Sequence, residues 1–233
     1  RTPGLCCTAV RMGAGRSRFR GKTVKNLRFP LAFGLALSSL LAQAQSLPAP
    51  KEFYFDADAQ TTRPFVALRG EGDALVDQLA ASVARKPADV ESRAQLARVA
   101  AQSGRKELAD ELYQAAQRNA SGNQRLVRQL GWNYGWDLYR AGEYQRALDQ
   151  WQKLLGGWPS APSWQPPTLA LALWKLDRRS EALAWYAAAV RTEPDLWNNP
   201  ANFAQLLPDW REEDRHTLAE VHAAWQADPP AWP

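Results

Sequence analysis

The chain has 233 residues, a formal net charge of +5 and two Cys. Its first 44 residues hold eight of the 29 Lys and Arg but none of the 24 Asp and Glu, so residues 45–233 carry a net charge of −3. That balance excludes a basic surface that would neutralise nucleic acid phosphates. Cys6, Cys7 and Met12 also lie in the first 44 residues. Disulfides, thiolate nucleophiles and cysteine-bound metals are therefore excluded from residues 45–233.

Residues 24–44 have the order of a secretory signal peptide. Lys25 and Arg28 form a basic start, an apolar run covers residues 31–41, and Ala42-Gln43-Ala44 follows. The run spans about 11 residues, whereas a membrane-spanning helix needs roughly 20. We therefore predict cleavage after Ala44, a periplasmic or secreted protein, and no transmembrane anchor after cleavage.

Two other segments lack a helical period. Residues 1–23 are Arg-rich, and we interpret them as an upstream segment that is either untranslated or disordered. Residues 45–72 contain Pro48, Pro50 and Pro64 without regular apolar spacing, and we predict that they form an extended tether.

From residue 73 onward apolar residues recur at helical spacing almost to the end of the chain. Breaks in this pattern occur at Pro87, Gly104, Gly142, Pro159, Asp177, Pro194 and Pro208. No segment has the alternation of a strand-rich domain. The predicted fold class is therefore all-α.

The breaks belong to a repeat of two helices. Three copies of the first-helix pattern are Leu96-Ala97-x-x-Ala100, Tyr134-Gly135-x-x-Leu138 and Leu169-Ala170-x-x-Leu173. The turn positions are Gly104, Gly142 and Asp177. A second helix follows with a small residue at Ala109, Ala147 and Ala182, and an aromatic residue four positions later at Tyr113, Trp151 and Tyr186. The pattern stays in phase through all three copies.

This order of large, small and aromatic residues resembles the 34-residue tetratricopeptide repeat (TPR) across residues 73–195. The resemblance implies a helix-turn-helix solenoid of about three and a half repeats, in which Leu75 and Leu79 belong to an initial half repeat. The step from Ala109 to Ala147 is longer than the family's 34 residues by four residues, which is about one helical turn. The usual first-helix Trp of the family is also missing.

Residues 196–233 are predicted to form a C-terminal cap and a Pro-rich tail. Pro208-Asp209 indicates a helix start, and Leu218, Val221, His222 and Trp225 would then share one face. A solenoid needs such a terminal helix because its last pair cannot bury its own apolar face.

All eleven Trp lie between residues 132 and 232. In TPR proteins the concave groove is formed by first-helix positions that point away from the second helix. The resemblance therefore implies the partner-binding residues Trp132, Trp136, Tyr139, Arg140, Trp164, Trp174 and Lys175. The first copy offers Glu91, Ala94, Arg98 and Gln102 instead. The alternative is that these Trp are buried, either in the core or beneath the Pro-rich tail.

We expect a non-enzymatic scaffold that holds a protein or peptide partner in an aromatic groove. The sequences of residues 130–140 and 208–233 resemble those of small periplasmic TPR proteins of Gram-negative bacteria. Some of these proteins are encoded beside TonB-type energy transducers. That resemblance implies a partner in an envelope transport or assembly complex. The alternative is a glycan- or peptidoglycan-binding module, since Asn133 and Asp137 flank Trp132 and Trp136. The oligomeric state is left open.

No enzyme chemistry is indicated. His216 and His222 are six residues apart, a spacing that does not put both on one helix face, so neither a metal site nor an acid/base pair is expected. A Gly-rich phosphate loop and a nucleophile elbow are also missing from the sequence. We expect no cofactor, no metal and no catalytic residues.

Overall fold

The computed structural model describes residues 47–48, 50, 55–56, 60–155 and 161–231. The predicted signal peptide, residues 1–23 and the last two residues of the Pro-rich tail lie outside the described residues. No helix among the described residues is both long enough and apolar enough to cross a membrane.

The described chain is all-helical, which confirms the predicted fold class at that level. The helices are α1 (Gly72–Arg85), α2 (Val90–Gln102), α3 (Lys106–Asn119), α4 (Gln124–Arg140), α5 (Tyr144–Gln152), α6 (Gln165–Lys175), α7 (Arg179–Thr192), α8 (Pro194–Trp197), α9 (Phe203–Leu206) and α10 (Glu212–Ala227). A short 3-10 helix, Pro200–Asn202, precedes α9. The only described strands are two residues long each, β1 (Phe55–Asp56) and β2 (Ala161–Pro162), and they pair in parallel.

Three helix pairs, α2 with α3, α4 with α5 and α6 with α7, are built on the same turn. Gly104, Gly142 and Asp177 have φ angles of +75°, +79° and +58°. After each turn residue, the next backbone N–H donates to the carbonyl five residues earlier at 2.9 Å, from residues 105, 143 and 178 to residues 100, 138 and 173. This pattern satisfies a carbonyl that the helix end would otherwise leave unpaired. The short connections make each pair antiparallel.

The repeated small and aromatic positions lie in the core. Ala109, Ala147 and Ala182 are buried, and so are the aromatic residues Tyr113, Trp151 and Tyr186. A small residue lets two helices approach, and the aromatic ring fills the space beside the close contact. Successive pairs also touch, since α4 contacts both α2 and α3, and α5 contacts α6.

Helix α4 holds the extra turn of the second copy. It is 17 residues long, against 13 for α2, which matches the four added residues. The helix begins at a cap in which the Asn123 side chain accepts a hydrogen bond from Leu126 N at 3.2 Å. The added turn lengthens the helix that carries most of the predicted site.

Trp151 contacts α4 at a distance that only glycine allows. A Cβ atom at Gly135 would lie 2.2 Å from Trp151 Nε1, which is far inside van der Waals contact. The indole N–H donates to Trp132 O at 3.3 Å. The equivalent position in the other copies is Ala97 and Ala170, where the second-helix aromatic is a Tyr. The indole of Trp151 is wider than a Tyr ring, so the position opposite it must be Gly135 instead of alanine.

Helix α10 packs against α6 and α7 as the predicted terminal helix. It begins at Glu212, three residues later than the predicted start at Asp209, because the chain still turns at Trp210, whose N–H donates to Leu207 O at 3.1 Å. Leu218 and Val221 are fully buried. Helices α8 and α9 occupy the connection from α7.

Among the described residues of the segment predicted as a tether, only Gly72 is helical, and several contact the helical unit. Leu47 and Phe65 are buried. Leu47 N donates to the Glu181 carboxylate of α7 at 3.2 Å, and β1 pairs with β2 in the connection between α5 and α6. This segment is therefore part of the packed structure at these points.

A matched pair of substitutions in α4 tests the close contact with Trp151. Gly135→Ala should destabilise the protein by about 1 to 3 kcal/mol, because the buried indole must move. Gly131→Ala should be close to neutral, because its added Cβ would meet only the flexible end of Leu154, and Ala favours a helix by up to about 1 kcal/mol. Thermal unfolding followed by circular dichroism measures both. Equal changes in Tm for the two variants would contradict this account.

The turn at Asp177 offers a second stability test. A non-glycine residue at φ +58° is strained, so Asp177→Gly should stabilise the protein by up to about 1 kcal/mol, whereas Asp177→Val should destabilise it by about 1 to 2 kcal/mol. The ion pair with Arg179 is exposed and should add little. Urea unfolding of the three proteins provides the comparison, and an unfolding midpoint for Asp177→Val at or above that of the wild type would refute the expectation.

Candidate functional site

A pocket of about 450 Å³ lies on the side of α4 that the sequence predicted to face a groove. Four parts of the chain enclose it: residues 62 and 64 before α1, the first helices α2 and α4, Trp164 at the start of α6, and the segment that precedes α10. Its lining residues are Thr62, Pro64, Arg98, Trp132, Asn133, Trp136, Asp137, Arg140, Trp164, Gln205, Leu206, Leu207, Pro208, Asp209 and Trp210. Four of the seven predicted partner-binding residues are among them.

The floor of the pocket is a cluster of indole rings that contact one another. The ring centres of Trp132 and Trp136 are 5.7 Å apart, and those of Trp132 and Trp164 are 4.3 Å apart. These three side chains are only 5 to 7% exposed. Only a small part of each ring therefore reaches the pocket, and the rest is buried. The same residues line the pocket and are packed against one another, so the site is largely buried aromatic surface.

The cover loop, residues 203–210, closes one side of the floor. The ring of Trp210 lies 4.9 Å from that of Trp136 in an edge-to-face arrangement. Phe203 and Leu207 are buried, and the Arg215 guanidinium of α10 donates to the carbonyls of Leu207 and Trp210. The last helix thus holds the loop that covers the Trp rings of α4.

The strap, residues 60–70, forms the opposite wall of the pocket. Arg63 O accepts hydrogen bonds from Gln129 Nε2 at 2.9 Å and from Asn133 Nδ2 at 3.0 Å. These contacts place Thr62 and Pro64 at the pocket. The amide of Asn133, which the sequence favoured as a glycan contact, therefore already binds the strap.

Two arginines bring positive charge to the pocket. The Arg140 guanidinium lies 5.5 Å from the ring centre of Trp136, and its buried Nε has no hydrogen-bond partner. Burial lowers the pKa of Arg140, and the nearby Asp137 opposes that shift. Arg98 approaches from α2 and is half-buried. Neither guanidinium lies within ion-pair distance of a carboxylate in the described part of the chain, although both interact electrostatically with Asp137.

Asp137 is the buried carboxylate of the pocket. It accepts a hydrogen bond from the Tyr113 hydroxyl at 2.6 Å. Burial raises its pKa, while the hydrogen bond from Tyr113 and the charges of Arg140 and Arg98 act in the opposite direction. Its raised pKa shows that the burial of the charge outweighs these partners.

Three of the predicted partner-binding residues do not line the pocket. Tyr139 packs between Trp136 and Tyr144, with its pKa raised first by burial and then by Asp214. Trp174 donates from Nε1 to the Glu220 carboxylate of α10 at 3.2 Å and is covered by Arg179. Lys175 is exposed at the end of α6.

Most of the pocket residues that the sequence did not predict come from non-repeat segments. The strap and the cover loop have no repeat register, so no sequence signal placed Thr62 or Trp210 beside α4. Arg98 was identifiable as a groove position of the first copy, but it was left out because that copy lacks aromatic residues.

The two histidines do not form a site. His216 is exposed near Glu220 at 3.4 Å, while His222 is buried near Asn198 O at 3.3 Å. In the described residues, no group of three or more His, Cys, Asp and Glu side chains is arranged to hold a metal ion.

No protein-family model matches the chain, and no curated protein is significantly similar to it.

The raised pKa of Asp137 predicts how its substitution depends on pH. Because the folded protein holds this proton more tightly than the unfolded chain, the charged carboxylate costs stability as pH rises from about 4 through the folded pKa. Asp137→Asn removes that cost and retains an oxygen for the Tyr113 hydroxyl. The free energy of unfolding of the variant relative to wild type should therefore improve between pH 4 and pH 7. Urea titrations at both pH values test this, and a relative stability that falls as pH rises would contradict it.

Proposed function

We propose that the protein is an exported TPR-type binding module that holds a short acidic or carboxylate-bearing segment of a protein partner in the pocket between the strap and the cover loop. The observation that carries the proposal is that Arg98 and Arg140 line the same pocket as Trp132, Trp136 and Trp164. Binding at equilibrium would be its whole activity, without catalysis or a cofactor.

The TPR assignment is supported by the repetition of local structure. Three turns share a positive φ angle and one hydrogen-bond pattern, and three buried small residues each precede a buried aromatic residue by four positions. The half repeat fits as well, since Leu75 and Leu79 of α1 are buried. In such an arrangement the first helices line one face, and α2 and α4 line this pocket.

The chemistry of the pocket favours an anionic group with apolar neighbours. A guanidinium pairs well with a carboxylate through parallel N–H donors, and the attraction is stronger where water is partly excluded. The Trp side chains and Leu206 supply apolar contact beside the two arginines. Asp137 and Asp209 balance part of the positive charge, so a single carboxylate fits this pocket better than a run of acidic residues.

The size of the pocket limits what enters it. A volume of about 450 Å³ lies within the range of about 300 to 1,000 Å³ that is usual for small-molecule and cofactor sites. It accommodates a few residues of an extended segment or a chain end. A folded partner would therefore contact the surrounding surface and insert only such a segment.

A glycan or peptidoglycan ligand has less support than a peptide. Sugar rings stack on open indole faces, whereas Trp132, Trp136 and Trp164 are only 5 to 7% exposed and contact one another. The polar side chains beside these Trp already have hydrogen-bond partners, because Asn133 binds the strap and Asp137 binds Tyr113.

The signal-like order of residues 24–44 supports a periplasmic or secreted location, and the resemblance to small periplasmic TPR proteins supports a partner in the cell envelope. That resemblance favours a TonB-type transport or assembly complex as the class of partner.

The test is affinity capture from a cell-envelope extract by the full chain and by an Arg98→Gln/Arg140→Gln variant. Removing both charges should abolish retention of a defined set of proteins, because their carboxylates lose their partners. Addition of salt should weaken capture by the wild type. Quantitative mass spectrometry of the retained proteins gives the measurement.

The matched control is Arg125→Gln/Lys153→Gln, which removes two exposed charges away from the pocket. It should capture the same proteins as the wild type. Identical capture by the pocket variant and the wild type, with both folded by circular dichroism, would refute the proposal.

A further inference from the structure

The pocket contains a carboxylate of its own, held at a fixed place near the two arginines. Asp137 lines the pocket together with Arg98 and Arg140, and this residue is only 7% exposed. The Tyr113 hydroxyl donates to Asp137 Oδ2 at 2.6 Å, which holds the carboxylate in position. Both guanidinium groups act on it electrostatically. An anionic ligand that binds the same arginines therefore enters beside a negative charge.

Several parts of the chain bring charged or titratable groups toward Asp137 and its arginines. They are Arg98 of α2, Tyr113 of α3, Arg140 of α4, Asp209 and Arg211 before α10, and Asp214 of α10. Asp209 lines the pocket but is exposed, so water screens its charge. Asp214 is buried but acts on Arg140 from outside the pocket lining. Of these three carboxylates, Asp137 alone is both buried and part of the pocket.

Two carboxylates that share a partly dry site disfavour each other, and one of them then holds a proton more readily. Burial already raises the pKa of Asp137 in the free protein, and a bound anion raises it further. A ligand carboxylate can approach the guanidinium groups more closely than Asp137 does, so the ligand keeps its charge. Tyr113 contacts Oδ2, so a proton on Oδ1 leaves that hydrogen bond in place.

We propose that the pocket takes up a proton together with its anionic ligand, and that Asp137 is the residue that receives it. The proton comes from solvent and binds to the Asp137 carboxylate, so one negative charge is neutralised as the ligand's charge enters. This proton uptake rests on the proposed function, because it requires Arg98 and Arg140 to bind a carboxylate. Asp137 thereby makes the affinity of the pocket depend on pH.

The direction of the pH dependence follows from the proton uptake. Lower pH favours a reaction that takes up a proton, so affinity rises as pH falls from the pKa of Asp137 in the complex to its pKa in the free protein. A chain-end carboxylate has an ordinary pKa of about 3.3 to 3.7, so such a ligand is still charged at pH 5. Arginine is charged throughout this range. Affinity should therefore be higher at pH 5 than at pH 8.

The probe is N-acetyl-dileucine with a free carboxylate, and its carboxamide is the uncharged comparison. Trp fluorescence of the full chain measures Kd, since Trp side chains line the pocket. Wild type should bind the acid about tenfold more tightly at pH 5 than at pH 8, which corresponds to a rise of about one unit in the pKa of Asp137 on binding.

Asp137→Asn mimics the protonated carboxyl and retains an oxygen for the Tyr113 hydroxyl. This variant should lose the pH dependence and bind the acid at pH 8 about as tightly as wild type binds it at pH 5. The matched control is Asp149→Asn, which removes an exposed carboxylate of α5 that does not line the pocket. The control should keep the pH dependence of wild type.

Calorimetry of wild type measures the proton uptake without a substitution. Titration with the acid at pH 5, 6 and 7, each in two buffers of different ionisation enthalpy, gives the number of protons bound per ligand. A substantial fraction of one proton at one or more of these pH values is expected. The proposal is overturned if uptake is zero at all three, or if folded Asp137→Asn keeps the pH dependence of wild type.

The Arg98→Gln/Arg140→Gln variant separates this proposal from the proposed function. If that variant loses binding of the acid while the wild-type Kd is the same at pH 5 and pH 8, proton uptake is overturned and the carboxylate site stands. If wild type does not bind the acid more tightly than the carboxamide at either pH, the carboxylate site is overturned and the proton uptake with it.

Discussion

The close approach of α5 to α4 is the constraint on which the rest of the structure depends. Trp151 fills the space beside Gly135, so the two helices meet without a side chain between them. Its indole N–H also satisfies Trp132 O, in the middle of the aromatic cluster. A larger residue at position 135 would push Trp151 toward Trp132 and Trp136, which form the floor of the pocket. The contact between Trp151 and Gly135 therefore supports both the helix packing and the floor of the candidate site.

The aromatic cluster is part of the core and also lines the pocket, because indole rings are large. Trp132 and Trp136 meet edge to face, and both line the pocket together with Arg140. This explains why truncation of these Trp is a poor test of function, since a missing ring would leave a cavity in the core. Substitution of the arginines removes charge from the pocket and leaves the packing of the rings in place.

Non-repeat segments give the pocket its shape. Helices α2 and α4 alone would present an open face, but the strap and the cover loop enclose it from two sides. Both segments are held mainly through their main chain, the strap by side-chain amides and the loop by Arg215. Main-chain binding by polar side chains leaves no periodic pattern in sequence, which is why the segment before α1 was predicted as a tether.

The sequence by itself determined the helical class, the three turn positions and the buried small and aromatic residues, because apolar spacing and turn chemistry are local properties. It also identified Trp132, Trp136, Trp164 and Arg140 as residues of one face. Only the tertiary structure decided that these Trp are nearly buried and that Trp210 covers them. Those outcomes depend on contacts between residues far apart in the chain, and such contacts follow from how whole segments pack.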